Sequence, residues 1–66
     1  MTTKNRTRSA VRWETFQDLV AVGLLNVTGY CRDYLGAEQV MMANPDTWIV
    51  ELECSPGDRW AVVSRN

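Results

Sequence analysis

The two prolines of this chain stand in turn-forming segments that frame an apolar run, and this arrangement constrains the fold more than any other feature. Segment 44–47, Asn-Pro-Asp-Thr, has the residues of a type I turn, because proline fixes φ at the second position. Segment 55–58, Ser-Pro-Gly-Asp, is typical of a type II turn. Between them, residues 48–54 are rich in β-branched and aromatic side chains, and residues 59–64 continue in the same style. Two turns and three apolar runs predict an antiparallel meander.

A bulged three-residue hairpin at the first turn and an odd-numbered connection at the second would fix the two faces of this meander. The predicted core face contains Val40, Met42, Trp48, Val50, Leu52, Cys54, Trp60 and Val62. The predicted outer face contains Gln39, Met41, Ile49, Glu51, Glu53, Arg59, Ala61, Val63 and Arg65. In a competing interpretation, residues 37–43 extend a preceding helix, since Ala, Glu, Gln and Met favour helix, and two strands remain.

The first half of the chain has helical spacing. Apolar residues recur there at steps of three and four, at Trp13, Phe16, Val20, Gly23, Leu24 and Val27. Ser9 and Thr15 are candidate N-caps, and a second, shorter helix is predicted over residues 28–35, closed by Gly36. We therefore predict an α+β fold in which one or two N-terminal helices pack on a small antiparallel β-meander of two or three strands.

Charge is distributed unevenly along the chain, although the formal net charge is only −1. Residues 1–8 contain three basic residues and no acid, whereas residues 9–66 contain four arginines and all eight acids. This contrast predicts a disordered basic arm over residues 1–8, followed by one small α+β domain over residues 9–66. Residues 33–58 contain six acids and no Lys or Arg, which predicts either an ordinary solvated face or a surface that meets a basic site on a partner.

The absence of histidine removes the commonest general base and metal ligand near neutral pH. The four glycines are too dispersed to cradle a phosphate. We therefore expect a non-enzymatic protein that uses no cofactor and no metal. The apolar run 19–25 is too short to cross a bilayer and no signal-cleavage pattern follows it, so we expect a cytoplasmic protein. In that compartment Cys31 and Cys54 are expected to be reduced thiols, with a disulfide between them as the alternative.

The outer face of the predicted meander is the candidate binding surface. It places apolar side chains within a charged rim, a pattern typical of protein interfaces. The candidate partner-binding residues are Asp46, Ile49, Glu51, Glu53 and Asp58. An ordinary two-sided sheet would show the same pattern, and a homodimer would fit as well as a foreign partner. The three tryptophans are expected to be core residues.

The tight turns and strand tryptophans of residues 44–48 and 57–60, together with small size and acidity, resemble the small anti-CRISPR proteins that phages encode. The resemblance covers general form, because these proteins share no common motif. It implies a non-enzymatic inhibitor that binds a CRISPR effector complex, most concretely of type I, and blocks target DNA with acidic residues in place of phosphates. The implied partner is an effector protein, without direct binding to nucleic acid or membrane.

Two other functions stay open. A small DNA-binding regulator could contact phosphates through the basic arm at Lys4, Arg6 and Arg8, although such modules are usually basic overall. A structural or assembly subunit of a larger particle is the other alternative. A core of this size is marginally stable alone, and association would stabilise it.

Overall fold

The computed structural model describes residues 9–65, in which strands and helices alternate. The elements are β1 (Ser9–Arg12), α1 (Trp13–Ala21), β2 (Leu25–Cys31), α2 (Tyr34–Ala43), β3 (Thr47–Glu53) and β4 (Trp60–Arg65). The strands form one sheet in the order β1-β3-β4-β2, with β1 parallel to β3 and β4 antiparallel to both of its neighbours. No helix of residues 9–65 is long and apolar enough to cross a membrane. The predicted basic arm, residues 1–8, lies outside the described residues.

The two helices cover opposite faces of the sheet. Because β1 and β2 form the two edges, α1 crosses the sheet in one direction and α2 returns in the other. Right-handed crossovers that run in opposite directions place their helices on opposite faces. On one face Phe16 of α1 packs against Val50, Leu52, Ala61 and Val63. On the other, Ala37 of α2 packs against Ile49, Trp60 and Val62. The central strands β3 and β4 are therefore buried on both sides.

The α+β class is confirmed, whereas the predicted meander is wrong in strand number and order. The described chain begins with a strand, and residues 25–31, which the helical spacing assigned to two helices, form β2. Residues 37–43 belong to α2, as the competing interpretation predicted. Val40 and Met42 are consequently helix residues, and only the β3–β4 hairpin remains of the meander.

The hairpin register also differs from the predicted one. Trp60 pairs with Glu51 and Val62 with Ile49, where the predicted partners were Cys54 and Leu52. The shift is an odd number of residues, and an odd shift exchanges the two faces of a strand. Ile49 is thus buried beneath α2 with 2% of its surface exposed, and Ala61 and Val63 are fully buried. Their predicted exposure is wrong because strands covered on both faces carry continuous apolar runs, which hide the alternation.

The connection from α2 to β3 is not the predicted type I turn. Asp46 has φ 66°, in the left-handed region that Asp tolerates better than most residues. The side-chain amide of Asn44 donates to the carbonyl of Val40 at 2.8 Å, and the Thr47 hydroxyl donates to the carbonyl of Asn44 at 2.6 Å. These bonds give partners to the carbonyl groups of Val40 and Asn44 at the end of α2, and β3 begins directly after them.

The loop between β3 and β4 is closed by a serine, not by a type II glycine. Cys54 has φ 62°, and Gly57 is not among the described residues with positive φ. The Ser55 hydroxyl donates to the carbonyl of Asp58 at 2.9 Å and accepts from the amide of Gly57 at 3.3 Å. The left-handed residue that turns the chain is therefore Cys54.

The helix starts differ from those predicted. Arg12, and not Ser9 or Thr15, occupies the N-cap position of α1, and Arg12 makes no side-chain capping bond. Asp33 caps α2, and its carboxylate accepts from the amide of Gly36 at 2.8 Å. Gly36 therefore lies in the first turn of α2, where a Cβ atom would meet the Asp33 Oδ1 at 3.0 Å.

Truncation of Ile49 tests the two-sided burial of the sheet. Ile49→Ala should lower the free energy of unfolding by about 2–4 kcal/mol, because it leaves a cavity between β3 and α2. Met42 on α2 is 79% exposed, and Met42→Ala should change stability by less than about 0.5 kcal/mol. Urea denaturation followed by tryptophan fluorescence measures both. Similar small changes for the two variants would contradict this packing, whereas loss of the cooperative transition in Ile49→Ala alone would support it.

Candidate functional site

The charged and polar side chains of interest meet at one end of the sheet. β1, β2 and β3 run in the same direction, so Arg12, Cys31 and Glu53 stand at their common carboxyl end. Both helices begin at this end because α1 follows β1 and α2 follows β2. In open sheets with parallel strands, binding crevices form outside the carboxyl ends of the strands. Residues 54–59, which join β3 to β4, lie over this end.

Three cavities open here. The acidic cavity, about 280 Å³, is lined by Glu51, Leu52, Glu53, Cys54, Ser55 and Arg59. The aromatic cavity, also about 280 Å³, is lined by Trp13, Tyr30, Ser55, Pro56, Gly57 and Asp58. The arginine cavity, about 470 Å³, is lined by Arg32, Pro56, Gly57, Asp58 and Arg59. Residues 54–59 contribute to all three cavities, so this loop is the centre of the candidate site.

Two carboxylates of one strand form the wall of the acidic cavity. Glu51 and Glu53 are two residues apart on β3, and this spacing places both side chains on the same sheet face. Glu53 is exposed and Glu51 half-buried, and Arg12 of β1 lies beside Glu53 in the parallel register. The amide of Leu52 donates to the carbonyl of Arg59 at 2.6 Å and closes the hairpin at this point. The two acids are therefore held on a strand that is hydrogen-bonded to β4 beside them.

The rings of Trp13 and Tyr30, which line the aromatic cavity, pack against the hydrophobic core. The Trp13 and Tyr30 ring centroids are 6.3 Å apart with an interplanar angle of 65°. Phe16, which is fully buried, contacts both: its ring centroid lies 6.1 Å from that of Trp13 and 6.3 Å from that of Tyr30. Tyr30 is 47% exposed. Both rings are thus fixed by packing while part of their surface faces the cavity.

The two cysteines at this end of the sheet have different environments. Burial raises the pKa of the Cys31 thiol, and the nearby carboxylates of Asp58 and Asp33 raise it further. Cys54, predicted on the core face, is exposed at the end of β3, because the observed register ends the hairpin ladder before it. Both cysteines are free thiols. Cys31 is therefore a protonated, half-buried thiol, and Cys54 is the accessible one.

The structure brings together three of the five predicted partner-binding residues. Glu51, Glu53 and Asp58 lie around the same loop. Asp46 precedes β3 and therefore lies at the opposite end of the sheet, and Ile49 is buried and cannot contact a partner. The partner-binding role of the other residues stays a prediction.

Sequence reasoning missed the aromatic wall of the site. It placed Trp13 in a helical core stripe and gave Tyr30 no role, because β2 was not recognised as a strand. The β-branched and aromatic residues of segment 25–31 were the available signal. Because that segment is a strand, α1 ends at Ala21, before β2 begins. Trp13 at the start of α1 and Tyr30 near the end of β2 then contact each other at the carboxyl end of the sheet.

Comparisons with protein-family models, curated proteins and solved structures found no match. Within residues 9–65, no group of three or more Cys, Asp or Glu side chains is arranged to hold a metal ion.

The two thiols should differ in reactivity. Iodoacetamide at pH 8 should alkylate Cys54 at least about tenfold faster than Cys31, because only the exposed thiol is accessible and burial raises the pKa of Cys31. Mass spectrometry of Cys31→Ser and Cys54→Ser, each with one remaining thiol, measures the two rates. The rates should become similar in concentrated urea. Equal rates in the folded protein would contradict the assigned environments.

The raised pKa of Cys31 also predicts a pH dependence of stability. Between the unfolded and the folded pKa of this thiol, the folded state holds the proton that the unfolded chain has lost, so the free energy of unfolding falls as pH rises. From about pH 8 to 10 the wild type should therefore lose more stability than Cys31→Ser. Cys54→Ser is the matched control and should follow the wild type. A wild-type curve parallel to that of Cys31→Ser would contradict the prediction.

Proposed function

We propose that this protein binds a basic surface of a protein partner through the acidic cavity and so keeps nucleic acid away from that surface. The observation that supports the proposal is the pairing of Glu51 and Glu53 on one face of β3, at the open carboxyl end, with Asp58 in the adjoining loop. Carboxylates held on a strand can take the positions that phosphate groups would occupy on a partner. The protein acts by occupation, as a non-enzymatic inhibitor.

The overall charge of the described domain favours such a partner. Residues 9–65 contain four arginines and eight acids, a formal charge of −4. A net negative field steers encounter with a basic surface and opposes direct contact with nucleic acid. Arg12, Arg32 and Arg59 lie at the same end as the acidic cavity. Arg59 also lines the acidic cavity, which therefore presents two carboxylates and one guanidinium, and the partner is selected by this local charge pattern.

The platform for these acids is preorganised. Val50 and Leu52, which alternate with Glu51 along β3, are buried against α1. Ser55 closes the following loop with two hydrogen bonds. A site held in this way loses little conformational entropy on binding, and a small interface then retains more of its interaction energy.

The resemblance to small anti-CRISPR proteins gives the proposal its most concrete form. In that form the partner is a DNA-binding subunit of a type I CRISPR effector complex, and the acidic cavity lies where target DNA would contact it. The protein would then act in the bacterial cytoplasm, where the complex works. The basic arm of the alternative DNA-binding function lies outside the described residues, and the charge of the described domain opposes that function.

An electrophoretic mobility-shift assay with a purified type I effector complex and its target DNA tests the proposal. The wild-type protein should prevent the complex from binding DNA. Glu51→Gln/Glu53→Gln should raise the concentration needed for half inhibition at least about tenfold, which corresponds to about 1.4 kcal/mol. Glu14→Gln/Asp18→Asn changes the net charge equally at two exposed acids of α1 and is the matched control.

Denaturation curves of both double variants verify that each is folded. Absence of inhibition by the wild type in every type I complex tested would contradict the anti-CRISPR form of the proposal. Equal loss in the two double variants would show that total charge, and not the acidic cavity, is responsible.

A further inference from the structure

We infer that the aromatic cavity takes up one cationic side chain, arginine or lysine, from the protein partner. The inference rests on the proposed function, since it names the group of a basic partner that would enter beside the acidic cavity. The two cavities share Ser55 and are both lined by residues of the 54–59 loop.

The ring geometry suits a cation. A guanidinium or ammonium group is attracted to an aromatic face when it lies within about 6 Å of the ring centroid. Trp13 and Tyr30 are inclined at 65° with centroids 6.3 Å apart, so together they form two walls of a corner. A cavity of about 280 Å³ has room for the end of a long side chain at this corner. Because Phe16 holds both rings from beneath, they need not rearrange on binding.

The charge of the lining selects the sign of the ligand. Among the described residues that line the aromatic cavity, Asp58 carries a charge, and the other five are uncharged. Asp58 is half-buried and lines both the aromatic cavity and the arginine cavity. A carboxylate beside two rings attracts a cation and repels a phosphate group.

The same lining argues against a stacked nucleobase. Aromatic platforms that bind single strands combine their rings with a positively charged groove for the backbone. Here Asp58 lines both the aromatic cavity and the neighbouring arginine cavity of Arg32 and Arg59, so a phosphate that approaches the two arginines also meets this carboxylate. There is also open space beside Gly57 in this loop, since a Cβ atom at this residue would have no neighbour within 4 Å. An extended side chain could enter over this glycine.

Three short capped peptides serve as probes: acetyl-Gly-Arg-Gly-amide, its lysine analogue, and its citrulline analogue, which keeps the shape of arginine without the charge. Each is titrated into the ¹⁵N-labelled full chain and followed by heteronuclear NMR. The arginine and lysine peptides should shift the Trp13 indole resonance and the amides of residues 55–58 in a saturable way. The citrulline peptide should bind at least about fivefold more weakly.

Two asparagine variants separate the cavity from overall charge. Asp58→Asn should weaken the arginine peptide about fivefold, and it retains the backbone carbonyl that Ser55 contacts. Asp46→Asn changes the net charge equally at the opposite end of the sheet and should bind like the wild type. Tyr30→Phe should retain binding, because it keeps the ring, and Tyr30→Ala should reduce it.

Equal binding of the arginine and citrulline peptides, or equal loss in Asp58→Asn and Asp46→Asn, would overturn the inference. Stronger shifts at Trp13 with trithymidylate than with the arginine peptide would overturn it in favour of a nucleic-acid site. The peptide titration contains no effector complex, and the mobility-shift assay varies Glu51 and Glu53. Failure of the inference in the peptide titration is therefore distinguishable from failure of the proposed function in the mobility-shift assay.

Discussion

Val62 and Val63 are consecutive residues of β4, project to opposite faces of the sheet and expose no surface. A strand with two such neighbours needs a cover on each face, and α1 and α2 provide one each. Because each helix follows a strand that runs parallel to β3, both helices must start at the carboxyl end. The N-terminal residues of both helices, the ends of three strands and the hairpin loop consequently crowd into one region. The candidate site is a consequence of how the central strands are covered.

Helix width then decides which side chains of that region remain accessible. An α-helix is about 10 Å in diameter with its side chains, whereas four strands about 4.8 Å apart span about 14 Å. One helix on each face can therefore bury the central strands and leave the edges partly open. Tyr30 on edge strand β2 and Arg12 on edge strand β1 are exposed for this reason, although Ala61, the β4 neighbour of Tyr30, is buried. The aromatic cavity lies where α1 begins and β2 ends.

The sequence predicted those features that depend on local patterns. The α+β class, the strand before the second proline, and the shared face of Glu51 and Glu53 follow from residue types and from the two-residue period of a strand. The pairing of Ser9 with Val50 is not local, and no short pattern reveals a parallel partner about forty residues away. The placement of Ile49 failed for a related reason. Its exposure was deduced from alternation, and alternation disappears when both faces of a strand are buried.

The two proposed contacts constrain the partner more strongly together than either does alone. Residues of the 54–59 loop line both the acidic cavity and the aromatic cavity, so one partner surface could place a basic side chain in each. Arg59 lines both the acidic cavity and the arginine cavity, and Arg32, in the arginine cavity alone, would repel a third basic side chain placed there. Selection of a partner by attraction at two points and repulsion at another is how charged interfaces gain specificity. Surfaces that bind nucleic acid present several Lys and Arg side chains to successive phosphates. Spacing of the basic groups, more than their number, would then determine which such surface this protein covers.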